Sequence, residues 1–260
     1  MLVLQNLPEN EWGNNLNLHL SIEISDRDLK LLLLENSTDE IVALEEFLIA
    51  NNSISNIVSQ SLIYLKSNPK TVSCTFCSSI FTLIPSAIYD EKSKEDYLGF
   101  NENISEKIIL KSDKLLKHNI YTCYGIKRKS EEEITRMYPN VVIKPLENIL
   151  MDSFGNELGI NFVSEKKMNI VYLQANNVVY FNNFTFENKD EMMYFISLVS
   201  EKLGLDLKNE TIFLSGEIKK EDEKHQFLKN FITSKNIVFQ KTNESINHKY
   251  YTLFNQNKCV

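Results

Sequence analysis

The chain has 260 residues, 43% hydrophobic and 10% aromatic, with seven glycines, five prolines and a formal net charge of -7. That length holds one large core or two of ordinary size, and so few glycines and prolines exclude long linkers. The acidic balance excludes a general footprint for nucleic acid or anionic membrane, and no window reaches the roughly 18 apolar residues of a membrane span.

Residues 1–15 have no basic start, long apolar middle or small-residue cleavage site, so they do not read as a secretory signal. Four cysteines, Cys74, Cys77, Cys123 and Cys259, are too few and scattered for a disulfide framework, and the expected compartment is the cytoplasm. After this polar leader come three strand-length apolar runs, 18–24, 29–34 and 41–48, joined by tight polar connections, which is the signature of an antiparallel meander. A helix capped by Ser53 is expected next, with Ile54, Ile57, Val58, Leu62 and Leu65 inward, ending before Pro69. Residues 71–76 then read as a strand.

Residues 80–89 read as a strand running into a short helix with Pro85 in its first turn. Residues 119–125 suggest another strand. Ser130 and Glu133 have capping-box spacing for a helix that Pro139 closes. The run Lys127-Arg128-Lys129 is offset by Glu131-Glu132-Glu133 and reads as a solvated helix start. A strand at 141–143 and a helix at 146–154 follow.

The second half repeats the order of elements. Residues 158–163, 168–173 and 177–186 form three more meander strands. A helix capped by Asn188 or Asp190 presents Met192, Phe195, Ile196, Val199 and Leu203 on one face, turns at Gly204, and leads to a buried strand at 211–214. A duplicated unit of three strands, a helix and a strand predicts two similar α/β lobes. The chain closes with an amphipathic helix at 221–232 (Phe227, Leu228, Phe231 and Ile232 inward), strands at 237–239 and 250–254, and a loose end.

Little chemistry stands out. Cys74-Thr75-Phe76-Cys77 lacks the second ligand pair of a tetrahedral zinc site, and neither the other cysteines nor His19, His118, His225 and His248 supply one; buried core cysteines are the expectation. A ribonuclease-H-type nuclease needs several acids converging on metal, and Glu23 has no partner acids at comparable strand ends. Walker, nucleophile-elbow and zinc-protease motifs do not occur.

Four stretches together resemble domain-of-unknown-function family 3822, a bacterial family found mainly in Bacteroidetes: residues 81–89 from Phe81 to Tyr89, 97–101 from Tyr97 to Asn101, 183–190 with Tyr194, and 214–218 from Leu214 to Ile218. The resemblance runs from about Leu18 to about Phe254. That family is similar to the actin-like ATPase superfamily, akin to the pilus-assembly ATPase PilM. It implies an α/β fold of two duplicated ribonuclease-H-like lobes, residues 16–155 and 156–256, with mixed sheets and an antiparallel three-strand meander in each lobe.

The resemblance also allows the nucleotide-binding parts to be checked. An active member carries Asp-Xaa-Gly at the turn leaving the first strand, where this chain has Glu23-Ile24-Ser25. The matching turn of the second lobe holds Asn161-Phe162-Val163-Ser164, whose Phe162 and Val163 would crowd a phosphate. The adenosine-binding glycine pair is reduced to Gly216 in Ser215-Gly216-Glu217. The expectation is a cytoplasmic scaffold or interaction protein with no catalytic residues, metal ligands or cofactor. It would use the interlobe cleft for a protein or peptide, with Glu23, Ser25 and Gly216 as the cleft candidates. The alternative is a divergent nucleotide-binding protein using the same cleft.

Overall fold

The computed structural model describes residues 2–5, 17–49, 52–77, 80–99, 107–241 and 247–259. Phe100 and Asn101 of the resemblance, and the leader after Gln5, lie outside them. The chain divides into two compact units, Met1–Ile149 with Leu253–Val260, and Leu150–Thr252.

In the first unit, strands β1 (Leu2–Gln5), β2 (Leu18–Ile24), β3 (Asp28–Glu35) and β4 (Glu40–Leu48) precede helices α1 (Ile54–Val58) and α2 (Leu62–Lys66) and strand β5 (Thr71–Phe76). With β9 (Val142–Pro145), the strands form one sheet in the order β1-β4-β3-β2-β5-β9. The β2-β3-β4 pairs are antiparallel, whereas β5 joins β2 in parallel and β9 joins β5 in parallel. Leu20, Ile22, Leu29, Leu31 and Leu33 bury one continuous core. The burial of nearly every residue of β2 and β3 explains their run-on apolar sequence, since both faces are covered.

The single helix expected after Ser53 is two short ones, because Ser61 starts a second turn: the Ser53 and Ser61 hydroxyls each accept an amide, from Asn56 and Tyr64. Ile63 points inward and Leu65 is 60% exposed, reversing the expected face. Two distant carboxylates complete these starts, Glu133 accepting from the Ser55 amide at 3.0 Å and Glu45 from the Leu62 amide at 3.0 Å. Glu133 is therefore a cap for α1 and not part of a box with Ser130; its own helix, α4 (Arg128–Met137), begins earlier and has no side-chain cap.

Between β5 and α4 lies an antiparallel sheet ordered β6-β8-β7, from β6 (Phe81–Pro85), β7 (Ile108–Leu115) and β8 (Ile120–Lys127), with α3 (Lys94–Gly99). Pro85 closes β6 and a turn follows in place of the expected helix. Proline suits a strand end, where no ladder amide is needed.

The second unit holds α5 (Leu146–Ser153) from Leu150 onward, then β10 (Leu158–Ser164), β11 (Lys167–Gln174), β12 (Asn177–Thr185), α6 (Lys189–Leu203), β13 (Ile212–Gly216), α7 (Glu223–Leu228) and β14 (Ile237–Phe239). Its sheet runs β12-β11-β10-β13-β14. That is β4-β3-β2-β5-β9 again, with the same pattern of antiparallel and parallel pairs. The meander strands have seven, eight and nine residues in both copies. Both meanders also carry a register shift at the same place, after Leu33 opposite Ala43 and after Tyr172 opposite Tyr180. A shared irregularity in the ladder is independent support for duplication, because bulges are specific features of a strand pair.

Asn188 caps α6, accepting from the Glu191 amide at 2.9 Å while the Glu191 carboxylate accepts from the Glu187 amide. Gly204, at φ 69°, ends the helix in a left-handed turn closed by the Leu205 amide on the Ser200 carbonyl. Met192, Ile196 and Val199 are buried as expected, Met193 joins them, and Phe195 and Leu203 are only partly buried.

Three closing expectations are corrected. The helix at 221–232 stops at Leu228 and Phe231 is 43% exposed. Residues 251–255 form helix α8 (Tyr251–Asn255), not a strand, because Asn247 caps a preceding 3-10 turn at the Lys249 amide and the chain continues helically. The loose end is a further 3-10 turn, Gln256–Cys259, whose Gln256 is buried.

Candidate functional site

The turn leaving β2 is closed on itself. The Ser25 hydroxyl accepts the amides of Arg27 (3.1 Å) and Asp28 (2.8 Å), and the Ser25 amide donates to the Asp28 carbonyl. This is a serine-turn, in which the side chain takes the amides that a glycine turn would leave for a ligand. Just inside it, the Glu23 carboxylate accepts from the Lys30 ammonium at 3.1 Å, with both side chains 7% exposed. The hairpin register sets Glu23 opposite Lys30, and Lys30 opposite Glu46.

The same row in the second unit is uncharged. Asn161 lies opposite Asn169, Asn169 opposite Asn183, and Ser215 beside Asn161. The Ser215 hydroxyl donates to Asn161 Oδ1 at 2.8 Å, Asn161 Nδ2 to Asn169 Oδ1 at 3.0 Å, and Asn169 Nδ2 to Asn183 Oδ1. A chain of amides thus crosses four strands, each link using the donor and acceptor of one side chain.

Gly216, at φ 79°, has a packing reason for being glycine. A Cβ there would sit 2.1 Å from the Phe162 carbonyl oxygen, which accepts the Glu217 amide at 2.7 Å. The adjoining bend is occupied by the buried Phe162 ring, edge-on to Phe186, with the Lys224 ammonium 5.3 Å above it. Burial lowers the Lys224 pKa from its ordinary value.

A cavity of about 260 Å³ opens in the first unit where β2 and β5 end. Ile24, Phe76, Ile80, Ile108 and Ile126 make its apolar wall, and Ser25, Asp26, Lys127, Lys129 and Ser130 its polar side. Lys127 pairs with Asp26 at 2.9 Å, and Lys129 stands 3.9 Å from Glu133. Gly125 keeps the wall close, since a Cβ would meet the Ile108 side chain at 2.8 Å. For scale, an apolar cavity of about 150 Å³ holds benzene.

Of the three expected candidates, Ser25 lines this cavity, Glu23 is turned to Lys30, and Gly216 belongs to the second unit. Cys77, expected in the core, lies on the cavity wall as a free thiol, while Cys74 and Cys123 are buried. Burial, then the Glu23 charge, hold the Cys77 thiol well above the ordinary thiol range, so the thiolate is disfavoured. Ile108 and Gly125 went unnoticed because the inserted sheet that brings them to the wall carries no strong local pattern. Among the described residues no group of three or more His, Cys, Asp or Glu is placed to hold a metal ion. Nor is any described helix long and apolar enough to cross a membrane.

The profile of a family described as "Protein of unknown function (DUF3822)" matches residues 8–234. A Bacteroides thetaiotaomicron protein with an actin-like ATPase fold and unknown function superposes with a TM-score of 0.76 at 19% identity, over 92% of this chain and 95% of that one. The ethanolamine utilization protein EutJ from Carboxydothermus hydrogenoformans superposes with a TM-score of 0.51 at 7% identity, over 98% of this chain and 91% of that one. No curated protein sequence matches the chain. These likenesses are to the actin-like ATPase fold alone.

Proposed function

The chain belongs to the DUF3822 family, of unknown function and actin-like ATPase fold, and from that premise we propose that it is a non-catalytic cytoplasmic interaction protein. The observation that carries this reading is how the polar groups at the two bends are engaged. Glu23 is ion-paired to Lys30, the Ser25 hydroxyl holds its own turn, and Gly216 is packed against the Phe162 carbonyl. Groups spent on internal partners are not free to organise Mg²⁺ and a polyphosphate, whose binding needs open amides and an accessible carboxylate. The cavity beside Ser25 supports the other half of the reading. Its apolar wall and mixed-charge mouth suit an aliphatic or aromatic side chain presented by a partner segment.

The second reading, a divergent nucleotide-binding protein, is favoured by Lys127, Lys129 and the uncapped first turn of α4 at the cavity mouth. Thermal melting with and without Mg-ATP separates the two. The interaction reading expects an unchanged melting temperature, and a saturable rise of several degrees supports nucleotide binding. The interaction half is tested by comparing proteins retained from the native host by wild type and by Ile108→Trp, which fills the cavity. Loss of one specific partner with the fold intact is the expected result, and identical retention removes the cavity from the account.

A further inference from the structure

The duplication provides an internal control for the outer edge of each meander. Counting from the shared register shift, β4 and β12 align residue for residue, Glu40 with Asn177 and Leu48 with Thr185. In the first unit the outer side of β4 is covered. Leu2–Gln5 of β1 pairs antiparallel with it, from Leu2 opposite Glu46 to Gln5 opposite Ala43. In the second unit β12 ends its sheet, and among the described residues no strand pairs with its outer side.

The consequence is visible in burial. β4 buries Ile41 to Glu45, whereas no residue of β12 is buried. The residues left out of the two register shifts make the contrast sharpest: Val42 is 0% exposed and its counterpart Val179 is 47% exposed. An exposed edge is ordinarily guarded by lysine, proline or inward charge, because its unpaired amides and carbonyls template another strand. β12, Asn177-Val178-Val179-Tyr180-Phe181-Asn182-Asn183-Phe184-Thr185, carries no charged residue and no proline in nine positions. Beside it Phe184 stacks on Phe195 of α6, whose neighbour Tyr194 is 61% exposed. The edge thus comes with an aromatic ledge.

We propose that β12 is a homodimer interface, in which a second copy adds its own β12 antiparallel across a two-fold axis to make one continuous sheet. The occupant follows from the strand's chemistry. A charged partner strand would gain no complement from an uncharged edge. The strand itself is neutral and amide-rich, with alternate apolar positions, so in antiparallel pairing it offers the same groups on both sides, as an isologous contact requires. Val179 and Tyr194 extend the buried area beyond the backbone ladder, which a stable pair needs, at roughly 800 Å² per partner.

Sedimentation equilibrium of the full chain across a micromolar concentration series is the test. The expected mass is twice the 30.2 kDa of the monomer. Val179→Lys places like charges against each other at the two-fold contact and should raise the dimer dissociation constant about tenfold or more. Asn182→Lys, at another exposed position of the strand, should do the same, so the result does not depend on one variant folding. Circular dichroism confirms the fold of each. A wild type that stays monomeric throughout, or a dimer unmoved by both folded variants, overturns the proposal.

Discussion

The row Thr75, Glu23, Lys30, Glu46 in the first unit and the row Ser215, Asn161, Asn169, Asn183 in the second occupy the same place in two copies of one fold. One is built on a buried ion pair and the other on a chain of neutral amides. The difference teaches that the fold demands a satisfied polar row at this depth but leaves its chemistry open. Both solutions keep the row's polar atoms for partners inside the lobe. They differ in what the loss of one member does, because an orphaned charge costs more than an orphaned amide.

The largest expected effect therefore falls on the first row. Lys30→Met strands the Glu23 carboxylate and should cost about 4 kcal/mol in urea unfolding. Glu23→Gln combined with Lys30→Met should recover much of it, and a double variant as unstable as the single would put the cost in packing instead.

Next comes a pH effect confined to the first unit. His19 is 1% exposed, its Nδ1 2.8 Å from the Thr71 hydroxyl and its Nε2 2.9 Å from that of Ser73. The Ser73 hydroxyl donates to Gln256 Oε1, so the Nε2 hydrogen donates to Ser73 and Nδ1 accepts from Thr71. Burial lowers the His19 pKa from 6.5 to about 4. Between these values the unfolded chain binds the extra proton and the folded chain does not. Stability is thus complete above the unfolded pKa and falls as the pH drops from 6.5 toward 4, by about 3 kcal/mol at the end of that window. Urea melts at a series of pH values should show this slope, and His19→Gln should flatten it.

Smaller effects compare the rows directly. Ser215→Ala orphans Asn161 Oδ1 and should cost about 1.5 kcal/mol. Thr75→Val, at the matching place, should cost nearly nothing, because the Thr75 hydroxyl finds no partner among the described residues. Equal losses would mean that the rows are not equivalent. Smallest is Asn188→Ala, which removes the cap of α6 and should cost about 1 kcal/mol.

Much of this arrangement follows from local sequence. The two meanders are written as apolar runs separated by polar bends, and a hairpin bent at Ser25 to Asp28 already sets Glu23 across from Lys30. The link from Ser215 to Asn161 spans 54 residues and depends on parallel pairing, which no local pattern encodes. Residues 250–254 misled for a different reason. A continuous aromatic and aliphatic run fits a buried strand or a buried helix equally, and the Asn247 cap decides it. Strand β7, with half-buried Lys111, Ser112 and Asp113 in its middle, has neither alternation nor an apolar run to announce it.

The central claim, that both bends spend their polar groups internally, is tested most directly by isothermal titration of the wild-type chain with Mg-ATP. The account predicts no saturable heat up to millimolar nucleotide. A stoichiometric binding curve with a micromolar Kd would contradict it.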